Sequence, residues 1–338
     1  MSKDTKNTRS ATERYIAENE YVMALPRVFH NRQQLRKYYP DSVISLLLRK
    51  ILSLRSLKSY LIEVVIGWRL MIRIWRLKKS QHLYDAMVIG NGPSQGYLDK
   101  KTLVEFQKKG GQLFVVNFWP ENKILSEVIP DYIIISDPGT LSLTSADHLL
   151  ISSDPGTSSI EAGENFKDKN NRLSEYLMAN DSIKIACPIS RCSELSKIYG
   201  EQRVIGFVDS ELRMWNRNIN PLLPRGYLSM TLYKSLALAI WFGYKKIFVI
   251  GMDNTYLRTV YCNRDNKFIN QEIHAAGADF AVDMSGMYGT VGDGIMDISQ
   301  LFFDARKFTR ENVINLDQYS LTDAFFKIPF EDWCAGKY

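Results

Sequence analysis

The sequence predicts an α/β protein, a mostly parallel β-sheet with helices on both faces, preceded by basic amphipathic helices. Three observations lead there. Six short apolar runs rich in Val and Ile recur along the chain: AMVIG (86–90), LFVVN (113–117), YIIIS (132–136), IKIAC (183–187), VIGFV (204–208) and KIFVIG (246–251). Polar or amphipathic segments separate them, and strands that are apolar throughout belong to parallel sheets buried on both sides. At 338 residues, 45% hydrophobic and 24% charged, the chain is long enough for one large α/β domain and a smaller appendage.

The N-terminal quarter differs in charge from the rest. Residues 1–84 carry 17 Lys and Arg against 6 Asp and Glu, whereas the remainder carries 26 against 31, so the net charge of +6 belongs to the first quarter. Within it, residues 42–79 set Leu, Ile, Val and Trp against Arg49, Lys50, Arg55, Lys58, Arg69, Arg73, Arg76, Lys78 and Lys79 at helical intervals, with Glu63 the only acid. No uncharged run approaches the roughly 20 residues that cross a bilayer. Such helices lie in the interface of an anionic membrane, with Trp68 and Trp75 as anchors, or they pack on the main domain with their cations outward. The stretch has no nucleic-acid-binding motif and is too apolar for a solvated arm, so no nucleic-acid partner is expected.

The first strand breaks into Gly90-Asn91-Gly92-Pro93-Ser94, with a helical stretch expected to begin near Tyr97 or Leu98. A strand, a glycine-rich turn and a helix N-terminus bring backbone N–H groups and the positive helix end together, which suits an anion; a tight βα turn has the same composition. Ligands of parallel sheets sit beyond the carboxyl ends of the strands, so the residues there carry most information. The second strand ends at Asn117, the third in Ser136-Asp137-Pro138 and the sixth in Gly251-Met252-Asp253-Asn254. A dinucleotide fold wants Gly-x-Gly-x-x-Gly and an acid ending the second strand. Here the glycines fall at 90, 92 and 96 and the second strand ends in an amide, which excludes a dehydrogenase.

Ahead of the sixth strand, Leu232, Leu236, Ala239, Ile240 and Phe242 mark a helix that Thr231 is expected to cap and Gly243 to end, its N-terminus aimed at the same crevice. The cysteines Cys187, Cys192, Cys262 and Cys334 form no CxxC pair, and the four histidines are scattered, so no metal site is expected. The opening MSKDTKNTRSATER is polar, and a cytoplasmic, reducing location is expected.

Taken together, GNGPS, the strand ending in Asn117, PDYIIISDP and the Thr231-led helix running into FGYKKIFVIGMDNTY resemble the bacterial sialyltransferases of glycosyltransferase family 42. They are similar as well to the motility-associated glycosyltransferases and to archaeal pterin pyrophosphokinase-like proteins. The resemblance spans roughly residues 85–300. It implies a Rossmann-like sheet of the glycosyltransferase A-variant kind and an inverting, metal-independent transfer from a CMP-linked sugar. The division expected is then 1–84 as a basic helical membrane-associating region and 85–338 as the nucleotide-sugar-binding catalytic domain.

The resemblance places Asn91, Gly92, Pro93 and Ser94 around the donor's nucleotide and phosphate, Asn117 on the phosphate or sugar, and Asp137 in the corresponding place on the third strand. Thr231 stands where the family has a serine touching the donor, and Asp253 ends the strand lining the nucleotide pocket. Tyr256 and Tyr261 lie near the tyrosines that hydrogen-bond the departing phosphate. One departure concerns the base: the family's histidine, which precedes a D-I-x-x-L-x-F helix, is absent from MYGTVGDGIM ahead of Asp297. His274, in QEIHAAG, resembles the HA-x-G of the motility-associated group and is the candidate base, with Asp293 the alternative. The acceptor implied is a glycan, lipid-linked or otherwise, of lipopolysaccharide or capsule, at the inner face of the plasma membrane. Diphosphate transfer to a pterin and a non-catalytic nucleotide-binding scaffold are the other readings.

Overall fold

The computed structural model describes residues 55–77, 84–122, 125–136, 140–141, 159–210, 218–227, 230–253, 304–308 and 312–337, with five short strands between 260 and 283. The six expected strands form as β1 (Ala86–Ile89), β2 (Gln112–Val116), β3 (Tyr132–Ile134), β4 (Lys184–Pro188), β5 (Val204–Phe207) and β6 (Ile247–Ile250). Short antiparallel pieces follow: β7 (Val260–Cys262), β8 (Phe268–Asn270), β9 (Ile273–His274), β10 (Ala278–Asp279) and β11 (Val282–Asp283). Two more strands, β12 (Val313–Asn315) and β13 (Phe326–Lys327), join the main sheet.

That sheet has eight strands in the order β13-β12-β6-β1-β2-β3-β4-β5, every adjacent pair parallel. The chain winds outward from β1 to β5 and then returns to the other side of β1 as β6. The winding therefore reverses between β1 and β6, where such sheets open a crevice beyond their carboxyl ends.

The strands alternate strictly in which face they serve. Ala86, Val88, Phe114, Val116, Tyr132, Ile134 and Val249 pack on one side with α5 (Thr231–Phe242). Met87, Ile89, Leu113, Val115, Ile133, Ile185 and Ile250 pack on the other with α2 (Lys100–Lys108), α3 (Ser159–Ala179), α4 (Ile189–Tyr199) and α6 (Phe330–Cys334). Because both faces are covered, the strands read as continuous apolar runs, and α5 is buried nearly all round.

The helix expected directly after the glycine loop starts later. Residues Pro93–Tyr97 form a 3₁₀ turn, and α2 begins at Lys100 because Asp99 accepts the Thr102 N–H at 2.7 Å. An aspartate N-cap outcompetes a loop holding Pro93 and Gly96 as a place to nucleate.

Helix α1 (Arg55–Leu77) lies along edge strand β5. Glu63, Gly67 and Ile74 are buried there, and a Cβ on Gly67 would stand 2.2 Å from Ile189 Cγ2. Leu70 packs toward one face of the sheet and Ile74 and Leu77 toward the other, so the helix covers the open edge between both layers. The Glu63 carboxylate accepts the Ser210 hydroxyl at 2.6 Å beyond the carboxyl end of β5. Arg73 donates to the carbonyls of Glu201 and Gln202 before its amino end, so α1 runs antiparallel to β5. Next to Glu63, half-buried Asp209 pairs with Arg225 Nε at 3.0 Å and Lys234 Nζ at 2.8 Å.

Candidate functional site

The loops after β1 and β6 touch backbone to backbone. Gly90 N–H donates to the Ile250 carbonyl at 2.8 Å and Gly92 N–H to the Gly251 carbonyl at 3.0 Å. A Cβ on Gly90 would lie 2.5 Å from the Gly251 oxygen, and one on Gly251, whose φ is +75°, would lie 2.2 Å from the Gly90 oxygen. Neither position accepts a side chain.

Two carboxyl groups stand over this seam. Ser94 donates its N–H to Asp253 Oδ1 at 2.9 Å and its hydroxyl to Oδ2 at 3.1 Å, while its Oγ accepts the Gly251 N–H at 2.8 Å. Burial pushes the Asp253 carboxyl up to about 7, the nearby charge of Asp317 adds to the rise, and the Ser94 bonds oppose it. Asp317 is buried just past β12 and accepts the Tyr319 N–H at 2.9 Å. Backbone ties hold the two loops together, with the Leu321 N–H on the Asp253 carbonyl at 3.0 Å and the Ser320 hydroxyl on the Met252 carbonyl at 2.7 Å. Tyr97 stands nearby, about half exposed, its phenol raised by partial burial and then by the charges of Asp317 and Asp253.

A second polar group forms at the ends of β2 and β3. Asn117 sits at φ +46°, a left-handed conformation that asparagine tolerates better than most residues. Its Nδ2 donates to Thr231 Oγ1 at 3.4 Å, and Thr231 Oγ1 lies 2.6 Å from Ser136 Oγ. Thr231 is thus the first residue of α5, not its cap. The N-cap is Met230, whose thioether makes no capping hydrogen bond, while the Thr231 hydroxyl is engaged by its neighbours across the crevice. The Met230 side chain leaves the first turn of α5, among the described residues, with its positive end open beside Asn117 and Ser136. Buried Gln95 braces the β1 and β2 loops, donating to the Gly90 carbonyl at 3.0 Å and accepting from Asn122 Nδ2 at 2.8 Å.

The crevice therefore gathers Gly92, Ser94 and Asp253 at one group and Asn117 and Thr231 at the other, with Asn91 half-buried and Pro93 exposed on the connecting loop. Asp137, Tyr256 and Asp293 lie outside the described residues. Tyr261 and His274 are described by backbone alone, in β7 and β9, where His274 pairs with Ala278 of β10. Sequence reasoning missed Asp317 and Gln95 as site neighbours and named Ser136 only as part of a strand end. The signal for Asp317 was present, since DQYS follows the apolar VINL as polar residues follow every other strand.

Chemically the two groups differ in sign. An uncapped helix end flanked by hydroxyl and amide groups suits a phosphate, whereas a carboxyl pair accepts the hydroxyls of a ribose or sugar. Among the described residues no three His, Cys, Asp or Glu side chains are arranged to hold a metal. A recess of about 360 Å³ lined by Lys245, Lys246, Asn312 and Phe326 opens at the amino-terminal edge of the sheet, away from this crevice.

No protein-family model matches the sequence, and no curated protein matches it significantly. Among solved structures the chain is similar to the MAf glycosyltransferase from Magnetospirillum magneticum AMB-1, at 10% identity and a TM-score of 0.40. The overlap covers 75% of this chain and 34% of that one, so the chain spans about a third of that protein's length. At that score no residue role passes between them.

Proposed function

We propose that the protein is a glycosyltransferase that takes a sugar from a CMP-linked donor, inverting the anomeric centre without a metal. The observation that carries this reading is the split polarity of the crevice. An uncapped α5 N-terminus with Thr231, Asn117 and Ser136 suits the donor phosphate, and Asp253 with Ser94 suits the hydroxyls of its ribose. Asn91, Gly92 and Pro93 carry the nucleotide on the connecting loop, and Asp137, which follows the third strand in sequence, is assigned to the same donor. Tyr256 and Tyr261 hydrogen-bond the departing phosphate, and His274, or Asp293 in its stead, takes the proton of the acceptor hydroxyl. The acceptor is a glycan of lipopolysaccharide or capsule, presented at the inner face of the plasma membrane. Residues 85–338 are the catalytic unit in this reading.

The buried pair Asp253 and Asp317 favours a second reading, magnesium-dependent diphosphate transfer, because two adjacent carboxyl groups are a usual cation hold. Melting curves of the whole chain with CMP, UDP, GDP and ATP, each with and without magnesium, separate the two. A nucleotide at 100 times its dissociation constant adds about 2.7 kcal/mol, which a melting curve resolves readily. CMP is expected to raise the melting temperature most, and without magnesium. A response confined to ATP with magnesium supports the second reading, and no response to any nucleotide removes both.

A further inference from the structure

One face of α1 is exposed among the described residues. Leu61, Val65, Trp68, Ile72 and Trp75, spaced 4, 3, 4 and 3 residues apart, are all between 41 and 75% exposed. At about 100° per residue they fall within roughly an 80° arc, well away from the docked Glu63, Gly67 and Ile74. Exposed Lys58, Arg69 and Arg76 fall together along one side of that stripe, and the Arg69 guanidinium lies 5.4 Å from the centre of the Trp68 ring. Arg73, from the same basic series, is instead turned onto the carbonyls of Glu201 and Gln202. The helix thus has two apolar surfaces with different partners. One closes the edge of β5, and the other has a row of cations beside it.

We propose that this outward face of α1 docks on an anionic bilayer, with its apolar stripe at the headgroup–acyl boundary and Lys58, Arg69 and Arg76 among the lipid phosphates. Two tryptophans in an aliphatic stripe are interfacial anchors, and a flanking cation row matches the charge of acidic lipids. A second copy of the chain fits this face worse. A two-fold contact would lay two cation rows in the same interface, where like charges repel. No described helix is long and apolar enough to cross a membrane, so the contact is along the surface. Since α1 runs antiparallel to β5, docking lays the strand direction along the bilayer, with the crevice between β1 and β6 four strands inward from that edge. The docking face rests on α1 alone and is independent of the donor assignment.

The test uses the whole chain in flotation with vesicles of phosphatidylcholine alone and of phosphatidylcholine with phosphatidylglycerol. Two variants accompany it, Val65→Ser/Trp68→Ser/Ile72→Ser and Lys58→Glu/Arg69→Glu/Arg76→Glu, all at outward positions, with melting curves to show that the fold is kept. The wild type is expected to float with the anionic vesicles and to be released by salt. The serine variant should lose at least tenfold in binding. A cation near an anionic surface is worth about fivefold, so the glutamate variant should lose more than tenfold and keep no preference for anionic lipid. Wild-type protein that ignores anionic vesicles overturns the proposal, as does a folded serine variant that still binds. A self-association seen by sedimentation that the serine variant abolishes assigns the face to a second copy and overturns it too.

Discussion

Replacing Glu63 with glutamine should stabilise the protein at pH 8 and leave it unchanged near pH 4.5. Glu63 is buried between α1 and the end of β5, and burial, assisted by the charge of Asp209, pushes its carboxyl from 4.5 up to about 7 against the pull of Ser210. The folded state therefore holds this proton more tightly than the unfolded chain does. Its contribution to stability is complete below the unfolded value and is lost as pH rises through the folded one. A rise of that size is worth about 3 kcal/mol between pH 4.5 and 8. The glutamine side chain keeps an oxygen for the Ser210 hydroxyl, which lies 2.6 Å from the Glu63 carboxylate, and carries no charge to desolvate. The surrounding charges, Asp209 with Arg225 and Lys234, stay paired with one another in both proteins. Urea melts of wild type and variant at pH 4.5, 6 and 8 read the effect, and a gap of about 2 to 3 kcal/mol should open with pH. A constant gap at all three, or a variant less stable at pH 8, would refute the claim that an unmatched carboxylate is buried under α1.

Gly251→Ala combines a left-handed backbone with a Cβ 2.2 Å from the Gly90 oxygen, so it should cost at least about 2 kcal/mol. Gly96→Ala, where nothing lies within 4 Å, should stay within about 0.5 kcal/mol; comparative urea melts decide both. His274→Ala should lower transfer by about 10²–10⁴-fold with donor affinity nearly unchanged, and Asp293→Asn by less; the reverse ranking in single-turnover assays would give the base to Asp293.

The central sheet was legible because parallel strands covered on both faces leave long apolar runs, and β1 to β6 all fall where those runs lie. β13 was not, since two residues leave no run to see, and β12 was passed over although its short apolar VINL precedes the polar DQYS, so Asp317 was missed with it. The crevice was legible as a row of polar strand ends but not as a set of bonds. Thr231 illustrates the limit. Its place before an apolar helix reads as a cap, yet a hydroxyl 95 residues away at Ser136 takes it instead. Nothing local in the sequence records that competition. The two-sided nature of α1 was half visible. Its amphipathic pattern could be read, whereas the signs that it also docks inward were a lone acid at Glu63 and a glycine at Gly67, which only contact with Ser210 and Ile189 explains.

The position of α1 also has a consequence in time. The residues it seats on lie 128 to 147 positions further along the chain, at Glu201 and Ser210. At the usual pace of protein synthesis, roughly 5–20 residues per second, the helix emerges about 6–30 s before its binding surface exists. Throughout that interval both of its apolar faces are open to solvent. The inward face waits on residues the ribosome has yet to make, whereas the outward one waits on none of them. Edge strand β5, by contrast, is born with its cover already present in the same molecule and never needs to meet a neighbouring chain uncovered.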